Sequence, residues 1–178
     1  MNPILEKEPV KRAETSIKEF DPSLEVFCLE QTARTAQDAA TALSCSVGAI
    51  VKSLLFRAGE NFVLCLVSGD KRCSLNKLKK ILEEKDVSMA NPDDVKKITG
   101  YTIGGVSPVG HLTKLKIFVD TNLERFKNVF AAAGHPNCVF EIEFNQLIKL
   151  TNGQMKESAS NQNSSHVKLF FSLLIFDN

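Results

Sequence analysis

Two apolar runs, residues 50–56 and 62–67, flank the turn Ala58-Gly59-Glu60-Asn61, and this pair limits the fold more than any other part of the chain. Strand-like runs separated by a glycine-bearing turn spell a hairpin. The second run is apolar at odd and even positions alike, which is the pattern of a central strand covered on both faces. Helical stripes supply the cover. Val10, Ala13, Ile17 and Phe20 share one face after Pro9, and Ala36, Ala39, Ala40 and Leu43 follow a cap at Thr35 or Thr32. Leu75, Leu78, Ile81 and Leu82 form a third stripe behind Ser74, opposite Lys77, Lys80 and Glu84. Further elements are expected as a strand at 24–29, a short helix from Asn91-Pro92-Asp93 to Ile98, a strand at 115–119, a helix at 122–133 and a strand at 138–142. Strands and helices interleave without a strict βαβ repeat. The class implied is α/β in the α+β sense, a mixed and partly barrel-like sheet surrounded by helices.

At 178 residues and 43% hydrophobic content the chain suits one domain with a real core. That domain is expected to be complete by about Leu150. Residues 151–165 are polar and low in complexity, hence expected to be disordered. Residues 167–176 are apolar but too few to span a bilayer. They suit an added edge strand, a partner contact or a segment foreign to the fold, and the polar linker before them favours the last.

The net charge of +1 excludes a bulk polycation. Yet residues 71–116 hold ten Lys and Arg against five Asp and Glu, so the rest of the chain stands at −4. That middle third suits either an RNA-facing surface or ordinary solvated helix faces. The five cysteines form no C-x-x-C pair, and their odd number reads as reduced thiols in a cytoplasmic protein. His111, His135 and His166 are scattered, so no metal set and no cofactor are expected. Residues 1–9 carry charges and prolines where a signal peptide needs an apolar run.

Two segments suggest a site. Gly104-Gly105-Val106-Ser107-Pro108-Val109-Gly110-His111 sets three glycines and a proline around small residues, so its backbone can approach a ligand closely. A ligand-free tight turn would need the same residues. About fifty residues upstream, Lys52 interrupts an apolar strand and shares a side with Ile50, Leu54 and Phe56. An ammonium there must snorkel to water, pair with an acid or meet an anion brought by a ligand. An edge-strand lysine that deters aggregation is the plain alternative.

Lys52-Ser53-Leu54-Leu55, then Thr99-Gly100-Tyr101, then the glycine loop, then a strand ending in Val119-Asp120 resemble, in that order, the YbaK and prolyl-tRNA synthetase-associated (ProX-like) editing domains. The resemblance runs from about Thr32 to Leu150. It implies their fold and their activity, hydrolysis of the ester in wrongly charged aminoacyl-tRNA. The substrate most in keeping is tRNA-Pro carrying Cys, Ala or another small amino acid. By the same resemblance Lys52 holds the charged tRNA terminus, and Gly104 with its loop stabilises the oxyanion and walls off the amino-acid side chain. Gly105, Val106, Ser107 and Pro108 join it in contacting substrate, with His111 at the pocket rim. Asp120 either orients the substrate ammonium or Lys52, or merely caps the next helix. No nucleophile with a base is legible, since Ser53 and Ser107 have no assigned histidine. Attack by water aided by the substrate's own groups is the expectation that follows. The partners implied are the 3′ acceptor end of an aminoacyl-tRNA and a synthetase, with neither membrane nor DNA. A non-catalytic module that binds tRNA or a synthetase is the competing reading.

Overall fold

The computed structural model of the chain describes residues 2–30 and 33–161. A 3₁₀ turn leads into α1 (Glu8–Phe20), which starts on Pro9 and buries Val10, Ala13 and Ile17. β1 (Val26–Cys28) precedes α2 (Ala36–Leu43), and the capping box of Thr35 with Asp38 decides where that helix starts. The predicted hairpin is β2 (Ile50–Ala58) and β3 (Asn61–Ser68), in antiparallel register from Val51↔Ser68 to Ala58↔Asn61. β4 (Lys71–Cys73), α3 (Leu75–Leu82), β5 (Val87–Met89) and α4 (Pro92–Thr99) follow, with Ser74 and Asn91 as caps.

The main sheet runs β1, β8 (Cys138–Glu143), β7 (Asn128–His135), β2, β3, β6 (Lys116–Asp120) and β9 (Gln154–Lys156), and β5 also pairs with β2. Parallel and antiparallel pairs mix, and the sheet stays open from β1 to β9 without closing into a barrel. β3 lies inside it, between β2 and β6, and is covered on both faces. Leu64 and Leu66 join one core with Ile17, Tyr101 and Leu147. Val63, Cys65 and Val67 join another with Leu78 of α3. Cutting Leu64 or Leu66 back to alanine would cost about 2–5 kcal/mol. No helix among the described residues is long and apolar enough to cross a membrane.

The structure departs from the sequence reading in two places. Where a helix was expected at 122–133, a 3₁₀ turn (Thr121–Arg125) gives way to β7 (Asn128–His135), which pairs with β8 (Cys138–Glu143). Val129, Ala131 and Ala133 are buried at a two-residue period, and the alanines that favour a helix are there because α1 lies on this strand. Gly134 completes the close approach, since a Cβ on it would stand 2.4 Å from the carbonyl oxygen of Pro9. Nor are residues 151–161 disordered. α5 (Phe144–Thr151) leads to β9 (Gln154–Lys156), parallel to β6, and to β10 (Ala159–Asn161), antiparallel to β4. The ordered fold thus continues past Leu150. The apolar run at 167–176 lies outside the described residues. Across β1 and β8, Cys28 faces Cys138 in register, so two of the scattered cysteines meet.

Candidate active site

β2 is paired with β3 along almost all of one edge, but its other edge is shared. β7 takes that edge at Ile50 and Val51, and β5 takes it from Phe56 to Ala58. Between them the sheet forks, and residues 52–55 are covered by neither strand. Leu55 accepts the Ala90 N–H there at 3.0 Å, and Gly59 donates to Asp86 on the same side at 2.9 Å. Ser53, two residues before Leu55, turns its own N–H and C=O to this open edge.

A cavity of about 390 Å³ occupies the fork, within the range of small-molecule sites. β2, residues 130–132 of β7, Met89, Pro136 and α2 form its mostly apolar wall, with Ile103, Gly104 and Val106 on the loop side. Arg34 and Arg72, both exposed, are its polar flank. No carboxylate and no imidazole is among the described residues that line it.

Lys52 lines the cavity, and its Nζ donates to the Lys71 carbonyl of β4. Burial pushes its pKa down to about 8, against the pull of Asp70. A cation so stripped of water gains from an anion brought to it. Next to it, the Ser53 hydroxyl is buried with no hydrogen-bond partner among the described residues. An orphaned hydroxyl in a cavity wall is costly until a ligand satisfies it.

Gly104 has φ +87, a left-handed value that penalises any side chain, and it is exposed to the cavity. The backbone N–H groups of Gly104 and Val106 make no hydrogen bond among the described residues, and both residues line the cavity. Lys52, Gly104 and Val106 therefore share one cavity.

The other predicted contacts stand elsewhere. Gly105 spends its N–H on Thr102, and a Cβ on it would lie 2.8 Å from the His135 Cα, so tight packing on β7 explains this glycine. Ser107 is fully buried, and its Oγ accepts from the Val109 N–H. Pro108 and His111 line a separate shallow depression. His111 donates from Nε2 to the Ser107 carbonyl at 2.7 Å, and burial holds its pKa below the usual histidine value. It braces the loop from behind.

Asp120 is fully buried and does not line the cavity. One carboxylate oxygen accepts from the N–H and side chain of Asn122, capping the 3₁₀ turn. The other accepts from the Ser158 N–H and hydroxyl and from the Ala159 N–H, at 2.7–2.9 Å. Its capping role is the one the structure displays, and its second task is to hold the start of β10.

Residues 30–150 match the aminoacyl-tRNA editing domain family. The chain belongs to that family. Over 134 residues it is 31% identical to the Bacillus subtilis protein YwhH, covering 75% of this chain and 85% of that one. It is 33% identical to the proline–tRNA ligase of Caldicellulosiruptor saccharolyticus over 121 residues, 68% of this chain but only 20% of the ligase. A crystal structure of a candidate trans-editing enzyme for prolyl-tRNA synthetase superposes with a TM-score of 0.83 at 34% identity, covering 87% of this chain and 99% of that one. This editing domain thus has the fold its motifs imply. Sequence reasoning missed Arg72, Met89 and Pro136 in the cavity wall. Arg72 is one basic residue in a cluster, Pro136 sits in the turn Gly134-His135-Pro136-Asn137, which resembles a family turn without marking which residue meets a ligand, and Met89 gave no signal of its own.

Proposed function

We propose that this editing domain is a trans-acting aminoacyl-tRNA deacylase that hydrolyses the ester of mischarged tRNA, above all tRNA-Pro carrying Cys, Ala or another small amino acid. The observation that carries the reading is that Lys52, Gly104 and Val106 line one mostly apolar cavity. Lys52 takes a phosphate or ribose oxygen of the terminal adenosine. The loop N–H groups stabilise the tetrahedral oxyanion. With no carboxylate or imidazole among the described residues of the wall, water attacks with help from the substrate's own groups. Synthetic sites discriminate poorly between small amino acids, so a second, hydrolytic sieve is useful.

Purified protein incubated with Cys-, Ala- and Ser-charged tRNA-Pro tests this. Release of amino acid is expected from at least one. Lys52→Ala should lower kcat/KM about 10- to 100-fold, in line with the loss of a charge-assisted hydrogen bond, while the melting temperature stays near wild type. No release from any charged tRNA at saturating protein would refute the deacylase and leave a binding module for tRNA or a synthetase. Unfolding by Lys52→Ala would make the lysine structural.

A further inference from the structure

We infer that Arg12 of α1 is a positioning residue for this site, because its guanidinium fastens both ends of the glycine loop and so sets where Gly104 and Val106 stand over the cavity. α4 ends at Thr99, and its last carbonyls form the negative end of a helix dipole with no partner inside the helix. The Leu112 and Thr113 N–H groups take the Thr99 and Ile98 carbonyls, Lys96 reaches Gly100, and Arg12 adds the group that joins them to Gly110. Nη2 donates to the Gly100 carbonyl at 2.9 Å, and Nη1 donates to Thr99 at 3.1 Å. Nη1 also donates to Gly110 at 2.5 Å, so one planar group joins the entry of the loop to its exit.

Tyr101 completes the fastening. Its ring is fully buried 4.5 Å beneath the guanidinium carbon, and its hydroxyl donates to the Val109 carbonyl at 2.8 Å. Two glycines exist for this contact. Gly100 and Gly110 have φ +77 and +75, and a Cβ would stand 2.6 Å from Arg12 Nη2 in the first case and 2.5 Å from the Tyr101 hydroxyl in the second. Glycines that look reserved for a ligand are thus shared between the cavity, at Gly104, and the fastening, at both ends. Lysine can replace the arginine only in part, since a single nitrogen on a flexible stem cannot reach three carbonyls in a fixed fork. Glu8 accepts from Arg12 Nε at 2.8 Å and aims the fork. α1 precedes residues 30–150, so part of the site's support lies outside the segment that matches the family.

Only the activity readout rests on the deacylase reading. Amide hydrogen exchange is therefore measured alongside deacylation for wild type, Arg12→Ala and Arg12→Lys. In Arg12→Ala, the hydrogen-bonded amides of Gly105, Val109, Leu112 and Thr113 should exchange at least about tenfold faster while β3 keeps its protection. Deacylation should lose about tenfold in kcat with little change in KM, as for a displaced reacting group. Arg12→Lys should recover part of both, and added guanidinium should partly rescue Arg12→Ala. If Arg12→Ala fails to fold, Arg12→Lys and Tyr101→Phe carry the same measurements. Unchanged exchange at these four amides overturns the inference, as does a loosened loop with undiminished kcat. If wild type proves inactive, the proposed function falls, and exchange at the same amides with the affinity for a non-hydrolysable 3′-aminoacylamido-adenosine decides the positioning.

Discussion

At the residue scale the most consequential group is Lys52, held among apolar neighbours with its pKa near 8. Its folded value lies below the ordinary 10.5, so in the native state it releases its proton first as pH rises. Two opposite effects result. Between about pH 8 and 10.5 the unfolded chain holds more protons than the native one at this position, so Lys52 contributes rising stability across that window. Over the same window the cavity loses its cation, and affinity for an anionic acceptor end should fall. Titrating the affinity of a non-hydrolysable aminoacyl-adenosine 5′-phosphate from pH 7 to 10 checks this, with Lys52→Met expected to flatten the profile and a flat wild-type profile refuting it. Lys52 was legible from sequence because a charge inside an apolar strand has few stable fates. Ser53, one position on, was not. Its significance comes from a missing partner, which only three-dimensional neighbours reveal. Arg12 is illegible for a like reason, since its carbonyl partners lie 87 to 98 residues away.

Among the elements, β10 carries the sharpest test, because the polar residues before it anchor a buried acid. Ser158 and Ala159 satisfy one whole oxygen of Asp120, and Lys77 reaches the Ala159 carbonyl at 2.8 Å. A chain ending at Lys156 leaves that carboxylate without those donors and β4 without its pair. Breaking a buried charge's contacts costs about 3–5 kcal/mol, or roughly 6–20 °C in melting temperature for a domain of this size. Calorimetry against a chain ending at Asn161 should show a drop of that order, and matching melting temperatures would make β10 dispensable. The hairpin, three capped helices and the central strand were readable because patterning and capping act locally. β7 was not, since alanine favours a helix in isolation and only the pressure of α1 against the strand explains its small residues. β9 and β10 escaped because their hydrogen bonds, and not apolar side chains, hold them.

For the whole molecule, the basic excess over residues 71–116 resolves into unlike parts. Lys77 pairs with Glu157 and Lys96 reaches the Gly100 carbonyl, so neither is simply reserved for RNA. Arg72 stands in the cavity wall with Arg34. A docking surface this limited should neutralise about two or three single-strand phosphates. Affinity for an acceptor-end oligonucleotide should then fall roughly 7- to 20-fold between 50 and 200 mM salt. A fall beyond about 1,000-fold by filter binding would show that the body of a tRNA is gripped as well. The forked sheet has its own implication for selectivity. With β7 and β5 each tied by its own ladder to the same strand, the gap between them is a fixed gauge, like a jaw welded open at one width. Evolving a taste for a bulkier or slimmer acyl group therefore means swapping the padding, at positions such as Met89 and Ala132, while the frame stays put.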